Sequence, residues 1–181
     1  MPSNIEIKAI LRDRAAAETT AAALSGSGPE ILQQMDVFFR SPGARVKLRI
    51  MGRDYGELIR YERANLAGLR PSHYSIARTP DAEILLGILT KALGQAGTVK
   101  KMRQLSLVGQ TRVHIDTVEE LGDFLELEVV LRPGQSEAEG RRIALELLAK
   151  FNIKTDDLLA DAYVDLLDAR RRSSSPPPPT T

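Results

Sequence analysis

The sequence predicts an α+β fold, a closed or nearly closed eight-stranded antiparallel β-barrel with flanking helices. Three observations lead there. Segments with apolar residues at every second position recur along the chain, joined by short turns as in hairpins. Strand and helix do not alternate in the manner of a doubly wound parallel sheet. The polar positions of the strands are ionic, while the positions between them are Val, Ile and Leu that need cover.

The elements follow from local chemistry. Ile5, Ile7 and Ala9 alternate with Asn4, Glu6 and Lys8, which is the period of a strand. Arg14 to Leu24 is rich in Ala and reads as a helix, broken by Ser25-Gly26-Ser27-Gly28-Pro29. Strands are expected at about 31–40, 44–51 and 56–63, with turns at Ser41-Pro42-Gly43 and Gly52-Arg53-Asp54, and a further strand at about 71–78. Asp81 to Leu93 has a capping residue and an apolar face at Ile84, Leu85, Ile88 and Leu89. Strands return at about 98–108, 111–117 and 123–131, the first two joined at Gly109-Gln110. Two helices, at about 136–150 and 155–168, close the fold. Residues 1–169 then form one domain. Residues 170–181, Arg170-Arg171-Arg172 followed by serines and prolines, are expected to be a disordered tail.

Composition narrows the function. Lys plus Arg is 25 and Asp plus Glu is 24, a formal net charge of +1, which argues against a nucleic-acid partner that would need a basic excess. Cys is absent, which removes disulfides, thiol nucleophiles and cysteine zinc sites. With two His as well, a zinc centre is disfavoured. No apolar run long enough to span a membrane and no secretory leader is visible, so the expected compartment is the cytosol, with no membrane association. Exposed outer faces and terminal helices are compatible with a homodimer.

The charges on the strands carry the chemistry. Glu6 and Lys8 share one strand face, as do Lys47 and Arg49, Lys101 and Arg103, Arg112, His114 and Asp116, and Glu126 and Glu128. Arg60 and Glu62 form another pair. Each pair alone reads as a solvent face laced with cross-strand ion pairs. Together, in a small barrel whose outside is covered by helices, they point inward. Buried charge of this density needs counter-charge, water or a charged ligand. Lys and Arg clusters match phosphate oxygens, and carboxylates hold Mg²⁺ or Mn²⁺ that bridges to phosphate. No G-x-x-x-x-G-K-[ST] loop is present, so side chains would grip the phosphate. His114 reads as a histidine bonded to its neighbours, and His73 as a loop or strand-edge residue.

Asn4-Ile5-Glu6-Ile7-Lys8 resembles the E-x-E-x-K signature of the CYTH superfamily, the triphosphate tunnel metalloenzymes. Lys101 and Arg103 match its K-x-R, and Arg112 through Glu128 is similar to its R-x-H-x-D-x-V-x-x-L-G-x-F-x-E-x-E, as in the class IV adenylyl cyclase-like branch. Ala162-Tyr163-Val164-Asp165-Leu166-Leu167 resembles that branch's closing helix, and the likeness runs over about residues 3–168. The resemblance implies a barrel lined by charge and an enzyme acting on a triphosphate-containing small molecule with Mg²⁺ or Mn²⁺. Cyclisation of ATP to cyclic AMP and pyrophosphate is favoured. Hydrolysis of tripolyphosphate, thiamine triphosphate or a nucleoside triphosphate is the alternative, and capture of polyphosphate or nucleotide without turnover a third. Carried over by position, Glu6, Glu126 and Glu128 are metal ligands, with Asp116 contributing directly or through water. Lys47, Arg49, Lys101, Arg103 and Arg112, with Arg60, hold phosphate. Lys8 orients the nucleophile, stabilises charge or binds phosphate, so that Lys8, Glu6 and Glu128 form the catalytic set. Ser72 and His73 lie on a stretch expected near the mouth. Asn4 stands where the signature has its first Glu, which removes one negative charge and weakens a second metal more than the first.

Overall fold

The computed structural model describes residues 3–52, 55–62 and 70–174. In chain order these form β1 (Ser3–Ile10), α1 (Arg14–Ser25), β2 (Glu30–Phe39), β3 (Arg45–Ile50), β4 (Gly56–Glu62), β5 (Arg70–Thr79) and α2 (Ala82–Leu93). Then follow β6 (Gln95–Val108), β7 (Thr111–Val118), β8 (Gly122–Val130), α3 (Glu137–Lys150), β9 (Leu158–Leu159) and α4 (Tyr163–Ser174). Asp13 caps α1 by accepting from the Ala16 amide, and Ser136 with Glu139 forms a reciprocal capping box on α3.

The strands run in the order β5-β4-β3-β2-β6-β7-β8-β1-β9, and β5 also pairs β1. All these ladders are antiparallel. One edge of β1 is therefore shared. Residues Ser3 to Glu6 pair with β5, while Lys8 and Ala9 pair with Leu159 and Leu158 of β9. The curled sheet meets itself over that first stretch, and the short β9 continues the seam.

Register sorts the two faces. Ile5 and Ile7 of β1, Val113 and Ile115 of β7, and Leu125, Leu127 and Val129 of β8 point outward, where α1 and α3 cover them. Each such fully buried aliphatic side chain contributes roughly 1.5–3 kcal/mol. Gly140 lets α3 lie close: a Cβ there would stand 2.5 Å from a Leu131 methyl and 2.8 Å from Ile5. On the far side, Leu85, Leu86 and Leu89 of α2 cover Val37, Phe39 and Leu48. One end of the inner face is apolar. Phe38, Val99, Val118 and Phe124 pack there with Ala162, Tyr163, Val164 and Leu167, so α4 fills that end of the barrel.

Three expectations change. The final helix does not begin near 155. Thr155–Asp157 makes a 3₁₀ turn, and Leu158 and Leu159 are drawn into pairing with β1, so α4 starts at Tyr163. It then runs to Ser174, into the expected tail; residues 175–181 lie outside the described residues. On α2, Leu85 and Leu89 are covered as expected, but Ile84 and Ile88 are 65% and 57% exposed, because the helix turns its Leu85–Leu86–Leu89 stripe to the sheet instead. The turn at Arg53-Asp54 lies outside the described residues. Among the described residues no helix is long and apolar enough to cross a membrane.

Candidate active site

The inner face of the barrel gathers the charges. Lys8 and Glu6 come from β1, Asp36 from β2, Lys47 and Arg49 from β3, Lys101 and Arg103 from β6, Arg112, His114 and Asp116 from β7, and Glu126 and Glu128 from β8. The registers confirm a common face: Glu6 stands opposite Glu128, Lys8 and His114 opposite Glu126, Arg112 opposite Glu128, and Arg103 opposite Asp116. β3 and β8 lie on opposing walls, four steps apart in the strand order, yet Glu126 favours the charged forms of both Lys47 and Arg49. That coupling runs across the lumen.

Exposure grades along the strands. On β7, Asp116 is fully enclosed, whereas the Arg112 side chain is 44% exposed. Val118 packs with α4, so the Asp116 end is the deep end. The floor is basic and tightly tied. Arg103 donates twice to Asp116, at 2.7 and 2.6 Å, and once to Glu126 at 2.8 Å. Lys101 reaches Asp116 at 3.3 Å, and the Tyr163 hydroxyl donates to it at 3.0 Å. The Lys8 ammonium lies 3.9 Å from the Tyr163 ring centre and that of Lys101 5.2 Å away, both within cation–π range.

These contacts set the protonation states. Burial alone would raise Asp36, but Arg49 and Lys47 outweigh it and hold the carboxyl well below the usual range. The same competition, won by Arg103 and Lys101, keeps Asp116 ionised, and Lys8 and Arg103 do so for Glu126. Burial and the adjacent Arg103 push the Lys101 ammonium down to about 7. Burial and Arg103 likewise hold His114 well below its ordinary value, so it is a neutral imidazole.

Several residues differ from the sequence reading. Arg60 stands opposite Val46 and Ser75, on the face of β4 that also carries Leu58, and is exposed. It is not on the inner wall with Lys47 and Arg49. Asp116 has both oxygens engaged by the protein, Oδ1 by Arg103 and Oδ2 by Arg103, Lys101 and Tyr163, which makes it an anchor for cations. His114 is buried with no partner for Nδ1 among the described residues, rather than bonded on that side. In the backbone register Ser72 pairs Asn4 and His73 pairs Ser3, on alternate faces; their side chains lie outside the described residues. Asp36 and Tyr163 were missed as site residues. Asp36 is single and sits in no motif, although its alternation with Gln34 and Phe38 places all three on one face. Glu57, opposite Arg49, joins the inner wall as well.

The donors at one level of the inner face suit a divalent cation. Glu6 and Glu128 stand directly opposite each other on one face, with Arg112 bonded to Glu128 at 3.1 Å, and their two carboxylates offer oxygens to a shared cation. Asn4 donates its amide to Glu128, and its carbonyl oxygen is buried without a partner. Two carboxylates and a neutral oxygen suit Mg²⁺, which commonly takes one or two carboxylates with substrate phosphates and water. Among the described residues no three His, Asp or Glu groups would hold a metal without such help.

The structure is a barrel with one end filled by a helix and an ionic lumen of both signs. The chain belongs to the CYTH domain family, whose model matches residues 3–163. Comparison with curated proteins finds no match. Among solved structures, the PH1012 protein of Pyrococcus horikoshii is similar with a TM-score of 0.79 and 21% identity, covering 90% of this chain and 98% of that one. A conserved hypothetical protein of Pyrococcus furiosus has a TM-score of 0.77 at 20% identity, covering 90% and 99%. A Vibrio parahaemolyticus protein described as a candidate adenylate cyclase has 0.77 at 16%, covering 91% and 97%. These likenesses show the fold.

Proposed function

We propose that the chain is a metal-dependent enzyme that processes a triphosphate inside the barrel, in the manner of a class IV adenylyl cyclase. The observation that carries this is the convergence of Lys47, Arg49, Lys101 and Arg103 in one enclosed lumen, with the opposed pair Glu6 and Glu128 nearer its open end. The acids of the lumen hold these donors in the ligand-free chain, and phosphate oxygens are the alternative acceptors that their guanidinium and ammonium groups suit. Arg112, the most exposed of the inner cations, meets the substrate first. Lys8, held over Tyr163, stabilises charge on the reacting phosphate or orients the attacking oxygen. Glu6 and Glu128, with the Asn4 carbonyl, hold the divalent cation, and Glu126 keeps Arg103 in place. The cation, when bound, neutralises phosphate charge and lowers the pKa of the nucleophile. Rigid walls supply positioning.

Cyclisation draws on the resemblance of the Arg112–Glu128 segment and on the description of the Vibrio neighbour. Hydrolysis is the second reading: the ionic groups gathered on the inner face suit the phosphate oxygens of any triphosphate, whatever group the phosphates carry. The deciding experiment supplies ATP, thiamine triphosphate and tripolyphosphate, each with Mg²⁺ or Mn²⁺, and resolves the products. Cyclic AMP with pyrophosphate is expected, abolished in Glu128→Ala. Orthophosphate release with the same dependence selects hydrolysis. Tight binding with no product from any substrate overturns the enzyme reading in favour of a binding module.

A further inference from the structure

Lys47 and Arg49 meet Asp36 in the way that Lys101 and Arg103 meet Asp116. In each case the aspartate stands directly opposite the arginine on the neighbouring strand. In each, arginine Nε donates to Oδ1 and its terminal nitrogen to Oδ2, at 2.8 and 3.0 Å for Arg49 and 2.7 and 2.6 Å for Arg103. The lysine two residues before donates to the same Oδ2, at 2.6 Å from Lys47 and 3.3 Å from Lys101. The match holds atom for atom, although the chain order is reversed: aspartate comes first in the β2–β3 hairpin and last in β6–β7. β2 and β6 pair, with Asp36 opposite Val99 and Gln34 opposite Lys101, so the two clusters are neighbours on one wall. They sense each other, since Asp36 favours the charged form of Lys101 and Arg103 disfavours that of Arg49.

Lys47 and Arg49 against Asp36 leave the first cluster a single net positive charge, while in the second Arg103 also binds Glu126 at 2.8 Å, so two carboxylates hold its two cations. In each, the aspartate also occupies the guanidinium edge that would otherwise swing freely. We propose, on the basis of the triphosphate reading above, that Asp36 and Asp116 are twin positioning residues. They hold two phosphate cradles side by side, each with its lysine and arginine tied to one aspartate, so that an anion lying across both is selected over one that fits a single cradle. A lone phosphate meets a carboxylate that repels it and competes for its donors. A chain reaching both cradles makes its second contact at high effective concentration, and the gain exceeds what its extra charge alone would give.

Titration calorimetry of the full chain without divalent cation, using orthophosphate, pyrophosphate and tripolyphosphate, reads this directly. The expected result is a step of about a hundredfold or more in affinity at the first anion that spans both cradles. In Asp36→Asn, orthophosphate should bind roughly tenfold tighter, the order expected when a like charge a few ångströms away is removed, and the step should shrink. Asp116→Asn should do the same. A smooth rise with anion charge in the unaltered protein overturns the twin-cradle account while leaving the triphosphate reading intact. So does an Asp36→Asn chain that weakens all three anions alike. If the unaltered protein binds none of the three without the cation, the twin-cradle account falls, while the triphosphate reading, which includes the cation, stands or falls with the product assay above. The series on the unaltered protein needs no variant, so it decides the matter even if Asp36→Asn does not fold.

Discussion

Lys101 shows how far the lumen bends the chemistry of a single residue. An ammonium normally protonated far above neutrality is brought to about 7 by burial and by Arg103. Below that value the cation is present before the ligand arrives. Above it, the ligand-free protein has lost the proton, and a bound polyanion must draw it back. Affinity for tripolyphosphate is therefore expected to fall as pH rises through 7, with proton uptake seen as a buffer-dependent heat of binding. Lys101→Met should flatten the profile. An affinity independent of pH across roughly pH 6–9 would contradict this assignment. Asp36 carries the opposite sign. Its carboxyl is held low in the folded state, so the stability it lends is present above the ordinary value of 3.8 and is lost as pH falls through the folded value. Denaturant midpoints should be steady near neutrality and fall in acid, less steeply in Asp36→Asn. That variant should itself cost about 3–5 kcal/mol, since it strands two cations that share one counter-ion. Residue identity on most strands was legible because the side-chain period is two. Val46, Leu48 and Ile50 announced the outer face of β3 and so placed Lys47 and Arg49. β4 gave no such signal. In Leu58-Ile59-Arg60 both faces are apolar, and only the pairing with β3 shows that Ile59 and not Arg60 faces inward.

Among the elements, α4 connects the fold to the site. It fills one end of the barrel and delivers Tyr163 beneath Lys8 and Lys101, with its hydroxyl on Asp116. Arg45 clasps it from β3 through two bonds to Asp165, at 3.1 and 2.7 Å. Its approach requires Gly97, since a Cβ there would lie 2.6 Å from a Val164 methyl. Gly97→Ala is expected to destabilise the chain by about 1–3 kcal/mol through overpacking and to loosen α4, read by hydrogen exchange across Tyr163–Ser174. Adding Val164→Ala should recover part of the loss, because the obstructing atom is gone. Without that recovery, the close approach is not what Gly97 provides. Tyr163→Phe keeps the ring under the lysines and removes one hydrogen bond to a charged acceptor, a cost of about 1.5–3 kcal/mol. The start of this helix was the least legible boundary in the chain. Thr155 through Leu159 has helical composition, but β1 has an unpaired edge beyond Glu6, and pairing there takes Leu158 and Leu159 out of any helix. Such a preference arises from a strand more than a hundred residues away, where no local pattern reports it.

For the molecule as a whole, the barrel is an arrangement whose outside is stabilised by apolar burial and whose inside is held in electrostatic tension. Glu6 facing Glu128 beside Arg112, and buried cations that share Asp36, Asp116 and Glu126, are tolerated because helices on the outer face and α4 at the end hold the walls in place. A ligand that relieves this tension binds the folded chain and not the unfolded one, so it must raise the unfolding temperature. Tripolyphosphate with Mg²⁺ at about a hundred times its dissociation constant adds about 2.7 kcal/mol, and at 2–4 °C per kcal/mol for a chain of this size the shift is roughly 5–11 °C. Each component alone relieves only one sign. Mg²⁺ by itself meets the two carboxylates and the Asn4 oxygen, while tripolyphosphate by itself meets the cations, Arg112 on Glu128 among them. The joint shift should therefore exceed the sum of the separate ones, measured by thermal melting at fixed ionic strength. In Asn4→Glu, the added carboxylate should increase the Mg²⁺ contribution and make the unliganded protein melt lower, because a third like charge then faces the pair without its partner ion. Additive shifts, or a melting temperature unmoved by the polyanion, would mean that the two signs of charge in the lumen do not serve a common ligand.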